Sequence, residues 1–347
     1  MTVCIYHGNC ADGFGAAWVV RKAIGEIEFH PGTYGQPPPD VTGKDVVMVD
    51  FSYKRAVLLE MAAKANSILL LDHHKTAAEE LFDLPENVMV NFDMSRSGAM
   101  LAWDYFFPGQ EPPPLLLHIE DRDLWRFELP YTRQIQANVF SYPYDFVVWD
   151  RLMATPPESL VAEGLAIERK HFKDIEELLR VTTREMVIGG HIVPVANLPY
   201  TLVSDAAHEL AKGRPFAGCY WDTPGGRVFG LRSTDEGVDV SAVAKQYGGG
   251  GHRNSSGFSV SFAQAQAFEL LPDCDPIEAP RFSRKENLRM ESKTQKYDQS
   301  VEQFAALNQV KAQTVRARLC RTGSYFGVVP LKLANGRLAW PAIQVAK

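Results

Sequence analysis

Ser67-Ile68-Leu69-Leu70-Leu71-Asp72-His73-His74 is the stretch whose reading decides the fold. Four apolar residues closed by one acid and two imidazoles spell a buried parallel strand whose carboxyl end opens into a site. In open α/β sheets that edge is where ligands bind. Asp-His-His alone is more often ordinary surface or capping chemistry, so its weight depends on company. Val3-Cys4-Ile5-Tyr6 runs into His7-Gly8-Asn9-Cys10-Ala11-Asp12-Gly13, Val46 to Val49 runs into Asp50, and Leu115 to Ile119 runs into Glu120-Asp121-Arg122-Asp123. Laid side by side, these runs bring His7, Asp12, Asp50, Asp72, His73, His74 and Asp121 to one rim. That many mixed carboxylate and imidazole ligands exceed the needs of one ion and suit two divalent cations about 3.5 to 4 Å apart. Such a pair serves phosphoryl transfer.

Working outward, Gly13 to Gly25 and Lys54 to Asn66 carry helical spacing, Glu26 to His30 and Asn87 to Phe92 read as strands, and Ser97 opens another helix. The alternation predicts a parallel sheet covered on both faces. Ser95, Arg96 and Ser97 precede that helix, where free amides favour an anion; capping accounts for the serines equally well. Tyr131 to Met153 reads as helix interrupted near Pro143, with aromatics at core spacing. Glu158 to Arg184 reads as a long polar connector. The remainder before residue 280 is a compact second set. It has a strand at Val193 to Ala196, a helix capped by Ser204-Asp205, a hairpin from Phe216 to Arg232, a helix from Asp239 to Tyr247 and a strand from Gly257 to Phe262.

At 347 residues two domains with an appendage are expected, and 46% hydrophobic residues suffice for real cores. No apolar run approaches the roughly 20 residues of a membrane span, and Met1 leads straight into a strand, so a soluble, unprocessed chain without a membrane partner is expected. Five scattered cysteines without a CxxC pair argue against a disulfide scaffold or structural zinc and fit a reducing cytoplasm. Net charge is −6, but Arg281 to Lys347 holds 13 Lys plus Arg against 4 Asp plus Glu, net +9, which leaves the rest at −15. A basic tail on an acidic body draws in polyanions or docks on the body itself.

His7 to Gly13, Asp50, Asp72-His73-His74 and Asp121 resemble, in order, the motifs of the DHH phosphoesterases, the superfamily of oligoribonucleases and single-strand exonucleases. Gly248-Gly249-Gly250-Gly251-His252 resembles the signature of the small DHH-associated domain. The match runs from about residue 3 to about residue 262. It implies an α/β protein with four parts. Residues 1–155 form a parallel-sheet metal-binding catalytic domain, 156–188 a helical connector, 189–280 a smaller α/β substrate-binding domain, and 281–347 a basic extension. One departure stands out: where many members have Asp-x-Asp in the first motif, this chain has Cys10-Ala11-Asp12. Cys10 either stands in as a soft ligand or leaves one cation with a thinner shell.

The implied reaction is two-metal hydrolysis of phosphodiester bonds in short single-stranded RNA or DNA or linear dinucleotides. Oxygen and imidazole ligands favour Mn²⁺, with Mg²⁺ or Co²⁺ as alternatives. On this hypothesis Asp50 bridges the cations, His7, with or without Cys10, completes one shell, and Asp12, His73 and Asp121 the other. Asp72 fixes a histidine tautomer or the loop, and His74 faces the scissile phosphate. Asp123 holds either Arg122 or a metal-bound water. Arg232, Ser233, Gly249, Gly250, Gly251, His252 and Asn254, with Arg96 and Ser97, are the expected substrate contacts. Two other substrates fit: a 3′,5′-bisphosphonucleotide, which would make the chain a nucleotide phosphatase, and a cyclic dinucleotide. From another class, Leu307 to Trp340 resembles the helix-turn-helix and strand pattern of small phage-type DNA-binding proteins. That pattern suits a DNA-binding regulator, while an arm joining a homo-oligomer, such as a dimer, accounts for the tail equally well.

Overall fold

The apolar runs pair in parallel. In the computed structural model, which describes residues 1–269, 297–322, 330–332 and 337–341, β1 (Thr2–His7), β2 (Glu28–Gly32), β3 (Asp45–Val49), β4 (Ser67–Asp72) and β5 (Val88–Phe92) form one sheet. Its order is β2-β1-β3-β4-β5, and every neighbouring pair is parallel. The side-chain alternation of a strand divides the central residues between two cores. Val3, Ile5, Val46, Met48, Ile68 and Leu70 face one side with Leu58 and Met61 of α2 (Arg55–Ala62). Cys4, Val47, Val49 and Leu71 face the other.

That second face is covered by α1 (Ala11–Ile24) and, beyond the short α3 (Lys75–Glu80), by α4 (Gly98–Phe106) and α5 (Pro114–Asp123). Leu115 to Ile119, expected as a strand, is instead the body of α5. Pro114 at the first helical turn presets the backbone, and Leu115, Leu116 and Ile119 then fall on one buried helical face. A short apolar run fits either period, and the prolines before it decide for the helix. The segment expected to be interrupted near Pro143 is α6 (Thr132–Val139) and α7 (Phe146–Ala154), with Trp149 fully buried. Phe140, Tyr142 and Tyr144 are exposed rather than core.

After α8 (Val161–Thr182) the chain enters a second sheet. Its strands are β6 (Thr183–Ile188), β7 (His191–Asn197), β8 (Ala217–Thr223), β9 (Gly226–Arg232), β10 (Gly250–Gly251) and β11 (Ser255–Val260), in the order β10-β11-β9-β8-β7-β6. β6 therefore begins inside the span expected to be helical connector. α9 (Val203–Ala211) and α10 (Val240–Lys245) pack on this sheet, and α11 (Phe262–Gln266) follows it. Ser204 and Asp205 lie within the first turn of α9, whose N-cap position is Leu202, so they do not cap it. Asp205 instead forms ion pairs with Arg122 at 3.2 Å, Arg133 at 3.5 Å and His171 at 2.9 Å, tying the first lobe and the connector to the second.

Residues 1–280 form one unit and 281–347 another. The second contains β12 (Tyr297–Gln299), α12 (Val301–Leu307), α13 (Ala312–Thr322), β13 (Leu331–Lys332) and β14 (Leu338–Pro341). β13 and β14 pair antiparallel, Leu331 with Ala339, while residues 333–336 and the polar stretch 281–296 lie outside the described residues. Among the described residues no helix is long and apolar enough to cross a membrane.

Candidate active site

Sheet register builds the site. Tyr6 pairs with Val49 and Val49 with Leu71, so the next residues, His7, Asp50 and Asp72, meet at the carboxyl ends of adjacent strands. The strand order reverses between β1 and β3, where a doubly wound sheet opens a crevice. Asp50 turns out of β3 with φ +53° and is almost fully buried. Its Oδ1 lies 3.1 Å from His73 Nε2 and its Oδ2 3.4 Å from His7 Nδ1. Asp12, on the first turn of α1, accepts from the amides of Gly98 at 2.6 Å and Ala99 at 3.0 Å, so the N-terminus of α4 orients it. His73 Nε2 is 3.9 Å from Asp12 and 3.5 Å from Asp123.

The two residues Asp121 and Asp123 part company here. They are two positions apart on α5, which turns their side chains about 200° from each other. Asp123 faces His73. Asp121, the expected ligand, accepts from Glu128 N at 2.8 Å, Leu129 N at 3.2 Å and Thr132 Oγ1 at 2.6 Å, and so anchors the loop before α6. Asp123 replaces Asp121 among the acids at the rim. The exchange follows from α5 being a helix.

Two buried carboxylates, Asp12 and Asp50, and the more open Asp123 around one imidazole make an electrostatic imbalance. Burial pushes Asp12 well above the usual carboxylate range, helped by the charges of Asp50 and Asp123. Asp123 is raised as well, by burial and despite His73. Asp50 is held low because hydrogen bonds from His7 and His73 outweigh its burial. Burial opposes a charge on His73, but Asp50 and the other acids push it up to about 10. Without a metal, protons supply the positive charge that the cluster lacks; cations would take their place.

The donor set fits such cations. Asp72 Oδ2 and His73 Nδ1 are buried with no hydrogen-bond partner, and Asp50 Oδ2 has only the long 3.4 Å contact to His7 Nδ1. Donor atoms of Asp12, Asp50 and His73 lie within 4.8 Å of one another, as do those of His7, Asp50 and His74, so Asp50 belongs to both groups. Cys10 belongs to neither; it occupies the N-cap position of α1, and burial with the nearby acids pushes its thiol well up. Asp72 is buried and accepts from His73 N at 2.8 Å and His74 N at 3.2 Å, with His74 Nδ1 at 2.7 Å. It sets both the turn and the orientation of His74.

The second lobe closes over this rim through its glycine loop. Gly251 N donates to Thr76 Oγ1 at 3.0 Å, and a Cβ on Gly250 would lie 2.7 Å from that oxygen. Lys75 meets Asp239 at 2.7 Å, and Lys245 pairs with Glu79. The His252 ring sits 4.7 Å from those of His73 and His74, stacked on the latter. Burial, then the neighbouring imidazoles, drive His252 down to about 2, so it is neutral there. Sequence reasoning missed Lys75 and Thr76, although they directly follow the histidines. It also missed Tyr34, whose ring lies 5.6 Å from His7 and whose loop offers no periodic signal.

Other expected substrate contacts also have partners within the protein. Arg96 pairs with Asp104 at 2.7 Å and Glu120 at 3.1 Å, and Ser97 Oγ caps α4 by accepting from Met100 N, so the capping account of that segment holds. Ser233 and Asn254 bond each other at 3.2 Å, and Asn254 also bonds Asp235. Gly249 lies under Gly257, and Arg232, held to Ser204 Oγ at 2.8 Å, is lowered to about 10 by burial and Arg122. A Cβ on Gly98 would stand 2.3 Å from Asp50 Cβ. Gly98→Ala is therefore expected to displace Asp50 and cut turnover by about a hundredfold, read by steady-state rates beside a thermal melt. An unchanged rate would show that α4 does not hold Asp50 in place.

No family model matches the chain. Uncharacterized protein R106 of Acanthamoeba polyphaga mimivirus is 30% identical over 308 residues, covering 80% of this chain and 72% of the viral one. Oligoribonuclease NrnB of Bacillus subtilis is 26% identical over 266 residues, 67% of this chain and 63% of its own. Among solved structures, the DHH domain of a member of a ribosomal-protein family matches with a TM-score of 0.50 at 14% identity. That match covers 84% of this chain and 85% of the other, a likeness of fold.

Proposed function

We propose that the chain is a phosphoesterase of the DHH type, a metal-dependent phosphodiesterase that shortens oligonucleotides or splits linear dinucleotides, RNA foremost. The observation that carries the proposal is the gathering of His7, Asp12, Asp50, His73 and Asp123 at one rim, under a glycine loop from the second lobe. The name of the bacillary relative inclines the choice toward RNA.

Two divalent cations, Mn²⁺ first among them, would neutralise phosphate oxygens and make hydroxide available at neutral pH. Asp50 would serve both ions, since its two oxygens face His73 and His7 separately. Asp12, His73 and Asp123 would complete one set of ligands and His7 the other. His74 is held through Nδ1 by Asp72, which leaves Nε2 to hold or give a proton at the phosphate. No serine or cysteine nucleophile is required. The neutral His252 and the guanidinium of Arg232 would position the nucleotide from the second lobe, where the glycine backbone leaves room for a phosphate.

The test is a panel of labelled ribo- and deoxyribo-oligonucleotides from dinucleotides upward, beside a 3′,5′-bisphosphonucleotide and a cyclic dinucleotide, assayed with added Mn²⁺. Fastest turnover on short linear RNA is expected; preference for the bisphosphonucleotide or the cyclic compound would replace this reading. Arg232→Ala and His252→Ala are each expected to raise KM about tenfold or more while Mn²⁺ affinity stays within about twofold. An unchanged KM would contradict their placement.

A further inference from the structure

We propose that the C-terminal unit binds duplex DNA, with the outer face of α13 entering the major groove, because two short helices joined by a tight turn hold a basic helix outward on a small sheet. The α12 and α13 helices are joined by residues 308–311, a connector of helix-turn-helix length. The turn is shaped rather than slack. Gln309 takes φ +55°, Val310 N donates to Ala305 O at 2.9 Å, and Asn308 Nδ2 donates to Phe304 O at 3.0 Å. Phe304 and Val315 are fully buried, and Trp340 of β14 stacks on Phe304 at 4.5 Å. With Val315 and Leu319 turned inward, Lys311, Gln313, Thr314 and Arg316 are exposed at the N-terminal part of α13. Arg316 is paired with Glu302 of α12, which fixes its direction.

Charge and shape select the occupant. Residues 301–322 carry four Lys plus Arg against one acid, within a segment of net +9 on a chain whose remainder is −15. A helix of roughly 10 to 12 Å diameter fits the B-form major groove, about 12 Å wide, and in this motif the first residues of the second helix reach the base edges. Lys311, Gln313 and Thr314 are residue types that bond phosphates or bases. The A-form major groove is too narrow for such a helix. Single strands are held on exposed aromatic platforms, whereas the aromatics among the described side chains of this unit, Phe304 and Trp340, are both buried. This surface belongs to the C-terminal unit, and the proposal does not depend on the reaction proposed for the first unit.

The experiment is fluorescence anisotropy of the full chain with a labelled duplex of roughly 20 base pairs, in EDTA so that nothing is hydrolysed, at about 50 and about 200 mM KCl. Micromolar or tighter affinity is expected at the lower salt, falling at least about tenfold at the higher. The variant Lys311→Glu, Gln313→Glu is expected to weaken duplex binding at least about tenfold while its melting temperature and its dinucleotide hydrolysis stay unchanged. Gln313→Glu alone, at one exposed position, should move affinity in the same direction. Absence of duplex binding by the unaltered chain, equal binding by both variants, or displacement of the duplex by an equal concentration of single-stranded or double-stranded RNA would each overturn the proposal.

Discussion

Asp50→Ala is expected to abolish turnover, with a loss of about a thousandfold or more, and to remove Mn²⁺ binding at both groups of donors. The size follows from what the residue does. Its carboxylate stands between His7 and His73 and belongs to both donor groups, so no neighbour replaces it. A bound divalent cation contributes several kcal/mol to phosphoryl transfer, and each 1.36 kcal/mol is tenfold in rate. Steady-state rates and Mn²⁺ titration calorimetry read both effects. The cation-free variant should still fold, because the substitution relieves crowding among the acids at the rim. A variant that keeps activity would rule out the bridging position.

The second large effect separates two neighbouring acids that the sequence motif does not distinguish. Asp123→Asn is expected to lower turnover by about a hundredfold and to weaken Mn²⁺ binding with little change in stability, since its carboxyl is already raised by burial and gains from losing charge. Asp121→Ala is expected to do the reverse. It removes the acceptor of three hydrogen bonds at a buried position and should cost about 2 kcal/mol or more of stability, read by urea unfolding, with Mn²⁺ stoichiometry intact. If Asp121→Ala loses metal at full stability, the helical placement of α5 is incorrect.

What was legible in the chain was the short, unbroken apolar run that stops at a polar residue. β1, β3 and β4 announce themselves as apolar runs, and the residue after each is a rim residue, because parallel register carries neighbouring strand ends to the same place. The glycine loop and His252 were legible for a different reason: a glycine run alone is usually a flexible turn, but between a helix and a strand, with His252 next, it lets the backbone come close to a phosphate or base. Leu115 to Ile119 was not legible, since five apolar or half-apolar residues satisfy either period, and the choice of Asp121 over Asp123 rested on the family pattern, which does not see how α5 turns the two side chains apart. The contacts between lobes were also hidden. Asp205 reads as a helix cap and Arg122 as the partner of Asp123, and only the folded chain shows them paired with each other. Lys75 and Thr76 look like an ordinary helix start until the second lobe is in place.

At the centre of the proposed mechanism one acid would serve two cations. Anomalous diffraction from crystals grown with Mn²⁺ tests this most directly. Two anomalous peaks that share the Asp50 carboxylate are expected, one bounded by His7 and the other by Asp12, His73 and Asp123; a lone peak away from Asp50, or ligation through Asp121, would contradict it.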